Sequence, residues 1–292
     1  KSRPGAPLKI IAMAEATQLP GAVYGGLPKT LSRVIKRALV GAPERSLGRG
    51  AYREVSVVRS SSAGVSRDAD VVSEVFAEAG WAVSIFDSKE RPRAVRIRIH
   101  LERVVEPLLP LAERNVVVPN LEWWDPKWDY ALAVAGVSVW AKTESAARAF
   151  EARGARVART GFKSADRADP LVVRERAFLH VGGASENKGT AALVSFWRPD
   201  WPTLFVVSSR ADVQSVPRPQ NVMMSSHLTE GALRALQNKC TFHLYPSRCE
   251  GFGHAPWEGL SCGAVVFLTD AVAAEWPEVP FLSLASSPTG AA

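Results

Sequence analysis

The stretch Cys240–Asp270, CTFHLYPSRCEGFGHAPWEGLSCGAVVFLTD, predicts a strand followed by a tight loop, a short helix and a second strand. Thr241–Tyr245 is a run of β-branched and aromatic residues, which favours a strand, and Pro246 ends that run. The loop Glu250–Gly253 contains two glycines, which reach backbone conformations that other residues avoid. The stretch therefore has the form of a β-loop-α-β unit.

The second half of this stretch predicts the helix and the closing strand. Pro256 suits a first helical turn, Gly263 ends the helix, and Ala264–Leu268 is an apolar run typical of a buried strand. A glycine loop that leads into a helix N-terminus presents amide N–H groups and a partial positive charge, which suit a diphosphate. Glu250 and Glu258 stand eight positions apart, before the loop and in the predicted first turn, so both are expected to face one ligand.

The pattern S-x-x-E-G-F-G-x-x-x-x-E-x-x-x-x-G-A-V-V resembles the donor-site signature of retaining GT-B glycosyltransferases of group 1, a family-four-like set. The resemblance implies an α/β chain with a GT-B fold, in which two Rossmann-like domains with parallel sheets face each other across a cleft. It also implies that Glu250 holds the donor sugar and that Glu258 holds the ribose hydroxyls. The implied loop and helix-start contacts to the donor are Gly251, Phe252, Gly253 and His254. The alternative is an ordinary strand–loop–helix with two surface carboxylates.

A second segment, Gly182–Thr190, resembles the G-R-x-x-x-x-K-G segment of the same family, whose arginine and lysine neutralise the donor phosphates. Lys188 matches the lysine, although a solvated lysine at a helix start has the same appearance. Glycines occupy the place of the arginine, and without a replacement the leaving group is less well stabilised. The remaining donor contacts expected here are Gly183, the two possible replacements Arg210 and Arg248, and Thr229, an N-cap in the turn that contacts the base in the family.

Alternating strands and helices predict a parallel sheet in the first domain as well, and ligands bind at the carboxyl edge of such sheets. The strands are expected at Val55–Val58, Ala82–Phe86, Val95–Leu101, Asn115–Val118, Val137–Trp140 and Val157–Arg159, and the helices at Ala69–Ala79, Val104–Ala112 and Glu144–Arg153. Polar and aromatic residues after these strands suit an acceptor sugar, although Trp123 and Trp124 equally suit loop packing. The predicted acceptor-side residues are Asn120, Glu122, Trp123 and Lys142.

One histidine of the first domain, His100, is a candidate for the residue that related enzymes place near the reacting carbon. Its position within a predicted strand favours a place in the core instead.

Length and charge predict three regions. The 292 residues suffice for two domains, assigned to 54–172 and 173–292. A GT-B enzyme continues with a last helix that crosses back to the first domain, so either the second domain is truncated before that helix or the two domains are coupled differently. Residues 1–53 form a basic N-terminal extension. Residues 1–60 contain 11 Lys+Arg and 3 Asp+Glu, a net +8, which leaves 36−11 = 25 basic and 29−3 = 26 acidic residues, a net −1, for the rest. This near-neutral body argues against specific nucleic-acid binding.

The composition favours a cytoplasmic protein. Cys240, Cys249 and Cys262 lack paired spacing and are expected to be reduced thiols, and no apolar run reaches membrane-spanning length. Residues 27–39 predict an amphipathic helix with a basic face, suited either to a membrane surface, to an acidic partner or to covering the neighbouring domain. No acidic cluster predicts a metal site, so no metal and no cofactor beyond the nucleotide diphosphate-sugar co-substrate is expected.

The expected activity is transfer of a sugar from a nucleotide diphosphate-sugar to a hydroxyl of a glycan, a lipid or a small molecule. The missing arginine keeps open a catalytically silent GT-B-like scaffold or partner subunit. A dinucleotide-dependent oxidoreductase is disfavoured, because no G-x-G-x-x-G follows a strand with an acidic residue at the right distance. A nucleic-acid acceptor reached through the basic extension is a further alternative.

Overall fold

The computed structural model describes residues 54–58, 63–86, 93–276, 279 and 282–284. The predictions for residues 1–53, including the amphipathic helix over 27–39, lie outside this part of the chain. Among the helices of the described residues, none has the length and apolar character needed to cross a membrane.

The first domain is built on a six-stranded, all-parallel sheet with the strand order β2-β1-β3-β4-β5-β6. Its strands are β1 Glu54–Val58, β2 Ala82–Phe86, β3 Val95–Glu102, β4 Ala112–Pro119, β5 Val137–Ala141 and β6 Val157–Arg159. Its α-helices are α1 Ala63–Glu78, α2 Asp129–Leu132 and α3 Glu144–Glu151, with 3-10 turns at Glu106–Leu111, Leu121–Trp123 and Pro126–Trp128.

The second domain is built on another six-stranded parallel sheet, ordered β12-β11-β10-β7-β8-β9. Its strands are β7 Glu175–Gly183, β8 Leu204–Ser208, β9 Val222–Ser225, β10 Cys240–Tyr245, β11 Val265–Thr269 and β12 Leu282–Leu284. Its α-helices are α4 Thr190–Phe196, α5 Ala211–Gln214, α6 Glu230–Lys239, α7 His254–Ser261 and α8 Asp270–Ala273, with a 3-10 turn at Glu186–Lys188. The expected architecture of two Rossmann-like α/β domains is confirmed.

The strand orders locate the ligand-binding edge of each domain. Ligands of open parallel sheets bind where the strand order reverses, outside the carboxyl ends of the strands. In the second domain this point lies between β7 and β10, and in the first domain it lies between β1 and β3. The segments that follow β7 and β10 contain Lys188 and Glu250, and the segment that follows β1 leads into α1. The fold therefore directs the ends of both sheets toward one another.

Three helix predictions are wrong in their bounds, type or turn. The segment predicted as a helix over 104–112 is a 3-10 turn over Glu106–Leu111, because Pro110 inside it lacks a backbone donor that an α-helix needs. The first helix begins at Ala63, not at Ala69, so Arg67 and Asp68 lie inside α1. Helix α7 begins at His254, which places Glu258 in the second turn and not in the first.

One hydrophobic cluster continues from the first domain into the second. It joins residues of α1 and β3 to Tyr245, Phe252 and Trp276 of the second domain. Phe162, in the crossover between the sheets, packs edge-on against Phe252 with ring centroids 5.2 Å apart. The two domains therefore share part of their core, and their facing edges are in direct contact.

Three histidines lie in the interiors of the two sheets and are fully buried. They are His100 on β3, His180 on β7 and His243 on β10. His100 contacts Asn115 Oδ1 at 3.0 Å, which confirms its predicted place in the core. Burial, which disfavours the imidazolium form, lowers the pKa of each from 6.5 to about 4.

These histidines predict an acid-sensitive fold. Between pH 6.5 and about 4 the unfolded chain binds protons at these sites and the folded chain does not. Their contribution to stability is complete above pH 6.5 and is lost as the pH falls, at up to about 1.4 kcal/mol per histidine and pH unit. Urea unfolding between pH 7.5 and pH 5 measures this slope. A slope near zero in the parent protein contradicts the prediction.

Candidate functional site

The loop between β10 and α7 is fixed by its backbone conformation. Gly253, the N-cap of α7, has φ +83°, a conformation that side-chain-bearing residues rarely adopt. A Cβ at this position would lie 3.1 Å from Trp276 Cη2 and 3.7 Å from Glu250 Cβ. The loop thus turns tightly at Gly253 and presents the start of α7 toward the first domain.

Glu250 is held by two neighbours within the second domain. Its carboxylate accepts a hydrogen bond from Ser247 Oγ at 2.7 Å, and Lys188 Nζ donates to Oε1 at 2.7 Å and to Oε2 at 2.6 Å. Ser247 is itself buried, and its carbonyl accepts from Thr269 Oγ1 at 2.7 Å. The residues predicted from two separate motifs, Lys188 and Glu250, are therefore in direct contact.

The segments that carry this pair are also joined through their backbones. Arg248 N donates to Asn187 O at 2.8 Å. Gly189 has φ +67°, and a Cβ there would collide with the carbonyl oxygen of Pro246. Beneath them the buried His180 donates from Nδ1 to Leu244 O at 2.7 Å and accepts from Thr190 Oγ1 at Nε2, 2.8 Å away. The loops after β7 and β10 thus form one rigid unit.

Glu258 is buried and points to the interface between the domains. Its side chain is 2% exposed and contacts Arg67 Nη1 of α1 at 2.6 Å, a residue of the first domain. Gln237 Nε2 of α6 donates to Glu258 Oε2 at 2.8 Å, and Arg167 Nε of the crossover lies 3.9 Å from the same oxygen. One carboxylate oxygen of Glu258 is thus paired with a guanidinium, and the other accepts a hydrogen bond from an amide.

His254, the first residue of α7, makes a second contact to the first domain. Its Nε2 donates to Asp68 Oδ1 at 2.9 Å, and its Nδ1 lies 2.6 Å from Ser164 Oγ. Asp68 Oδ2 also accepts from Lys142 Nζ at 2.8 Å. Burial alone would raise the pKa of Asp68, but Lys142 and His254 outweigh it, and the pKa lies below its usual value. Asp68 is therefore a buried carboxylate at the start of α7.

The predicted acceptor-side residues meet the donor loop. A Cβ added to Gly251 would collide with Asn120 Oδ1 and lie 2.9 Å from Glu122 Oε1. Asn120 Oδ1 accepts a hydrogen bond from Lys142. Burial raises the pKa of Glu122, with the charge of Glu250 adding to the shift and Lys142 and Lys188 opposing it. The structure thus brings Asn120, Glu122 and Lys142 into one site with Glu250.

The two adjacent tryptophans occupy different environments. Trp124 is buried, packs edge-on against Phe150 at 4.9 Å and donates from Nε1 to Asp129 Oδ1 at 2.8 Å. Trp123 is 50% exposed. The packing interpretation therefore holds for Trp124, and Trp123 leaves an indole face open to solvent beside Glu122.

Other predicted donor residues lie at the edge of the site or serve the fold. Arg210 forms a two-pronged contact with Asp212 at 3.0 and 2.5 Å, and Thr229 accepts from Ala232 N at 3.2 Å as the predicted N-cap of α6. Phe252 is buried in the shared aromatic cluster. Gly183, with φ +57°, ends β7, and the side chain of Arg248 is exposed.

Four residues at the centre of the site were not predicted. Arg67 and Asp68 follow β1, and the carboxyl-edge rule that selected Lys142 applies to them as well. The sequence predicted Arg67 and Asp68 only as a segment leading into the helix, so the rule was not applied to them. Gln237 and Arg167 reach the site from an ordinary helix and from the crossover, and no sequence signal marks either one.

Three cations of the site are paired with carboxylates of the protein itself. Three cations and three carboxylates form the pairs Lys188–Glu250, Lys142–Asp68 and Arg67–Glu258. Within the described residues there is no group of three or more histidine, cysteine, aspartate and glutamate side chains able to hold a metal ion. An anionic ligand therefore has to take over cations that are now paired with carboxylates.

Comparison with known proteins yields no family and no curated relative. No family model matches the chain, and no curated protein matches it. Among solved structures, the pneumococcal O-GlcNAc transferase GtfA in complex with UDP and GlcNAc is similar at 12% identity with a TM-score of 0.45, over 61% of this chain and 42% of that chain. The GtfA/B complex is similar at 15% identity and a TM-score of 0.43 over the same shares. The chain thus spans less than half the length of either.

Another similar structure is WaaG, a glycosyltransferase involved in lipopolysaccharide biosynthesis, at 15% identity and a TM-score of 0.41, over 85% of this chain and 79% of that chain. The N-terminal domain of the Candida albicans trehalose-6-phosphate phosphatase is similar at 14% identity and a TM-score of 0.43, over 80% and 64%. Similarity at this level assigns neither a family nor an activity to the chain.

The contact between the two loops predicts the effect of one methyl group. Gly189→Ala forces a Cβ against Pro246 O at a positive φ, and we expect it to destabilise the fold by about 1–3 kcal/mol. Gly231→Ala is the matched control, because Gly231 lies in α6 with no atom within 4 Å of an added Cβ. We expect that control to stabilise the fold by about 0.5–1 kcal/mol. Equal midpoints of urea unfolding for the two variants would contradict the loop contact.

Proposed function

We propose that the chain transfers a sugar from a nucleotide diphosphate-sugar to a hydroxyl acceptor, with retention of the anomeric configuration and without a metal ion. The observation that supports this most directly is the convergence of Lys188, Glu250 and the start of α7 at the switch point of the second sheet. This is the place where open parallel sheets bind nucleotides.

The donor diphosphate is assigned to the start of α7 and to Lys188. Free amide N–H groups at a helix N-terminus and the adjacent glycine loop Gly251–Gly253 suit phosphate oxygens. Lys188 lies at the rim of the site with 19% of its side chain exposed, so it is accessible to a ligand. In this assignment Glu250 orients hydroxyls of the transferred sugar and Glu258 those of the ribose.

The acceptor is assigned to the first-domain side of the same site. Trp123 offers an exposed indole face for the C–H face of a sugar, and Asn120 and Lys142 offer polar contacts. Glu122 is the carboxyl group best suited to exchange a proton with the acceptor hydroxyl, because its raised pKa brings it nearer to neutral pH. The chemical class of the acceptor, whether glycan, lipid or small molecule, stays open in this proposal.

The observed arrangement is closed over the donor-side residues. Glu258 is covered by Arg67, and Gly251 is in contact with Asn120 and Glu122. Donor binding therefore requires the two domains to separate locally, or their ion pairs to be exchanged for contacts with the ligand. The cytoplasm as the site of action, and a membrane contact through residues 27–39, remain part of this proposal as expectations.

The closed arrangement of the donor-side residues favours a second candidate function, a nucleotide-binding scaffold or partner subunit that has lost catalysis. Every carboxylate and lysine of the proposed donor site has a partner inside the protein, and glycines replace the family's arginine. Donor hydrolysis or transfer by the purified chain separates the two candidates. Nucleotide binding without either reaction supports the scaffold.

The donor assignment predicts the behaviour of two glutamate variants. A thermal-shift screen over UDP-, GDP-, ADP- and TDP-sugars identifies the donor, and hydrolysis or transfer is then followed with that donor. We expect Glu250→Gln to lower kcat about a hundredfold or more, since loss of one such group removes about 2.7–4 kcal/mol of transition-state stabilisation. Glu258→Gln is expected to weaken donor binding. EDTA is expected to leave the rate unchanged, and the product anomer reports retention.

The control for these variants is Asp200→Asn, an exposed carboxylate of the same domain that pairs only with Arg198 at 3.0 Å among the described residues. It is expected to behave as the parent protein. No thermal shift with any of the four donors, or unchanged activity of Glu250→Gln, would remove the assignment.

The acceptor assignment predicts a separate effect of Trp123. Because its indole face is exposed and makes no part of the core, Trp123→Ala should leave folding and donor affinity unchanged while raising the KM for the acceptor about tenfold. Trp123→Phe should recover part of that loss. Steady-state kinetics in which the acceptor is varied at saturating donor measures both effects. A second series, with the donor varied at saturating acceptor, contradicts the assignment if the donor KM rises and the acceptor KM does not.

A further inference from the structure

The cation missing from the segment Gly182–Thr190 has no replacement among the residues predicted for that role. Arg210 is already bound on two sides by Asp212. Arg248 contacts the segment through its backbone N–H, and its side chain is exposed to solvent. Lys188 is thus the cation that this domain brings to Glu250, and a diphosphate with two or more negative charges requires further compensation.

Arg67 reaches this position from the first domain. The neighbouring residues Arg67 and Asp68 of α1 contact Glu258 and His254, which lie one turn apart on α7. The guanidinium of Arg67 thus contacts a carboxylate that lies one helical turn after the first residue of α7. Arginine binds phosphate and carboxylate oxygens with the same planar fork of donors.

Arg67 is also the most exposed of the three neighbours of Glu258. Its side chain is 28% exposed, whereas Gln237 is fully buried. A ligand that reaches Glu258 from the side of Arg67 therefore has to displace the guanidinium.

Two open hydrogen-bonding atoms lie beside the same carboxylate. Arg167 Nε and Gln237 Oε1 are buried and have no hydrogen-bond partner within the described part of the chain. Gln237 contacts Glu258 Oε2 through its amide nitrogen at 2.8 Å, and Arg167 Nε is 3.9 Å from that oxygen. A buried donor and a buried acceptor without partners cost free energy, and hydroxyl groups satisfy both kinds.

We propose that Arg67 is an exchangeable cation of the donor site. Without donor it neutralises Glu258, and with donor it passes to the diphosphate while the ribose hydroxyls take its place on Glu258. The first domain thereby supplies the phosphate-binding arginine that the second domain lacks, and donor binding is coupled to the contact between the domains. This proposal rests on the proposed function and names a further residue of the same site.

Inorganic pyrophosphate, which has no ribose, tests the exchange by isothermal titration calorimetry on the full chain. Glu258→Gln removes the nearer carboxylate partner of Arg67, whose Nη2 also lies 3.9 Å from Glu230 Oε2, and is expected to raise pyrophosphate affinity on the order of tenfold or more. The double variant Arg67→Ala with Glu258→Gln should lose that gain, and Arg67→Lys with Glu258→Gln should keep part of it. Arg148→Ala, an exposed arginine of α3, is the control and should bind as its parent does.

The outcomes separate this proposal from the function it rests on. If the gain of Glu258→Gln persists in the double variant with alanine, the gain comes only from removing a negative charge, and the exchange is refuted while the donor site stands. If neither pyrophosphate nor any nucleotide binds the parent protein or its variants, the donor site and the exchange both fail. Equal urea midpoints of the Arg67→Lys variant and its parent show that lost binding does not reflect lost folding.

Discussion

The ion pair Arg67–Glu258 and the hydrogen bond from His254 to Asp68 join α1 to α7 where both sheets expose their ligand-binding edges. The pairs Arg67–Glu258 and Asp68–His254 are short and largely buried, and each crosses from one domain to the other. A buried ion pair such as Arg67–Glu258 contributes little net stability, but leaving one partner alone is costly. An anionic ligand that displaces Arg67 from Glu258 therefore has to leave both the guanidinium and the carboxylate with a new partner. The chemistry proposed for the site follows from this constraint.

Most of the fold was predictable because parallel strands buried on both faces leave a strong apolar signal. The stretch from β10 to β11 was recovered with its loop, helix and turn glycines, since Gly253 and Gly263 both adopt positive φ angles. The errors arose where local rules compete. Prolines turned the segment after β3 into a 3-10 turn, and the start of α1 lies in a small-residue segment that resembles a loop.

The candidate site was predictable in part, for a physical reason. Lys188 and Glu250 come from one domain, at adjacent strands of one sheet, and topology alone brings them together. The partners of Glu258 come from three places: α1, the crossover and α6. Their meeting depends on how two separately patterned domains pack, and periodicity within either domain carries no information about that. The roles of Arg67 and Gln237 were therefore not predictable from the sequence.

The aromatic cluster around Phe162 and Phe252 has a consequence for how the chain can be divided. Tyr245, Phe252 and Trp276 are buried in a cluster that also holds residues of the first domain. Division of the chain at the crossover would expose these rings to solvent. Either half expressed alone would then carry an exposed apolar surface that favours aggregation. A chimaera of the second domain with an unrelated acceptor domain would thus fold only if that domain supplied a matching apolar surface.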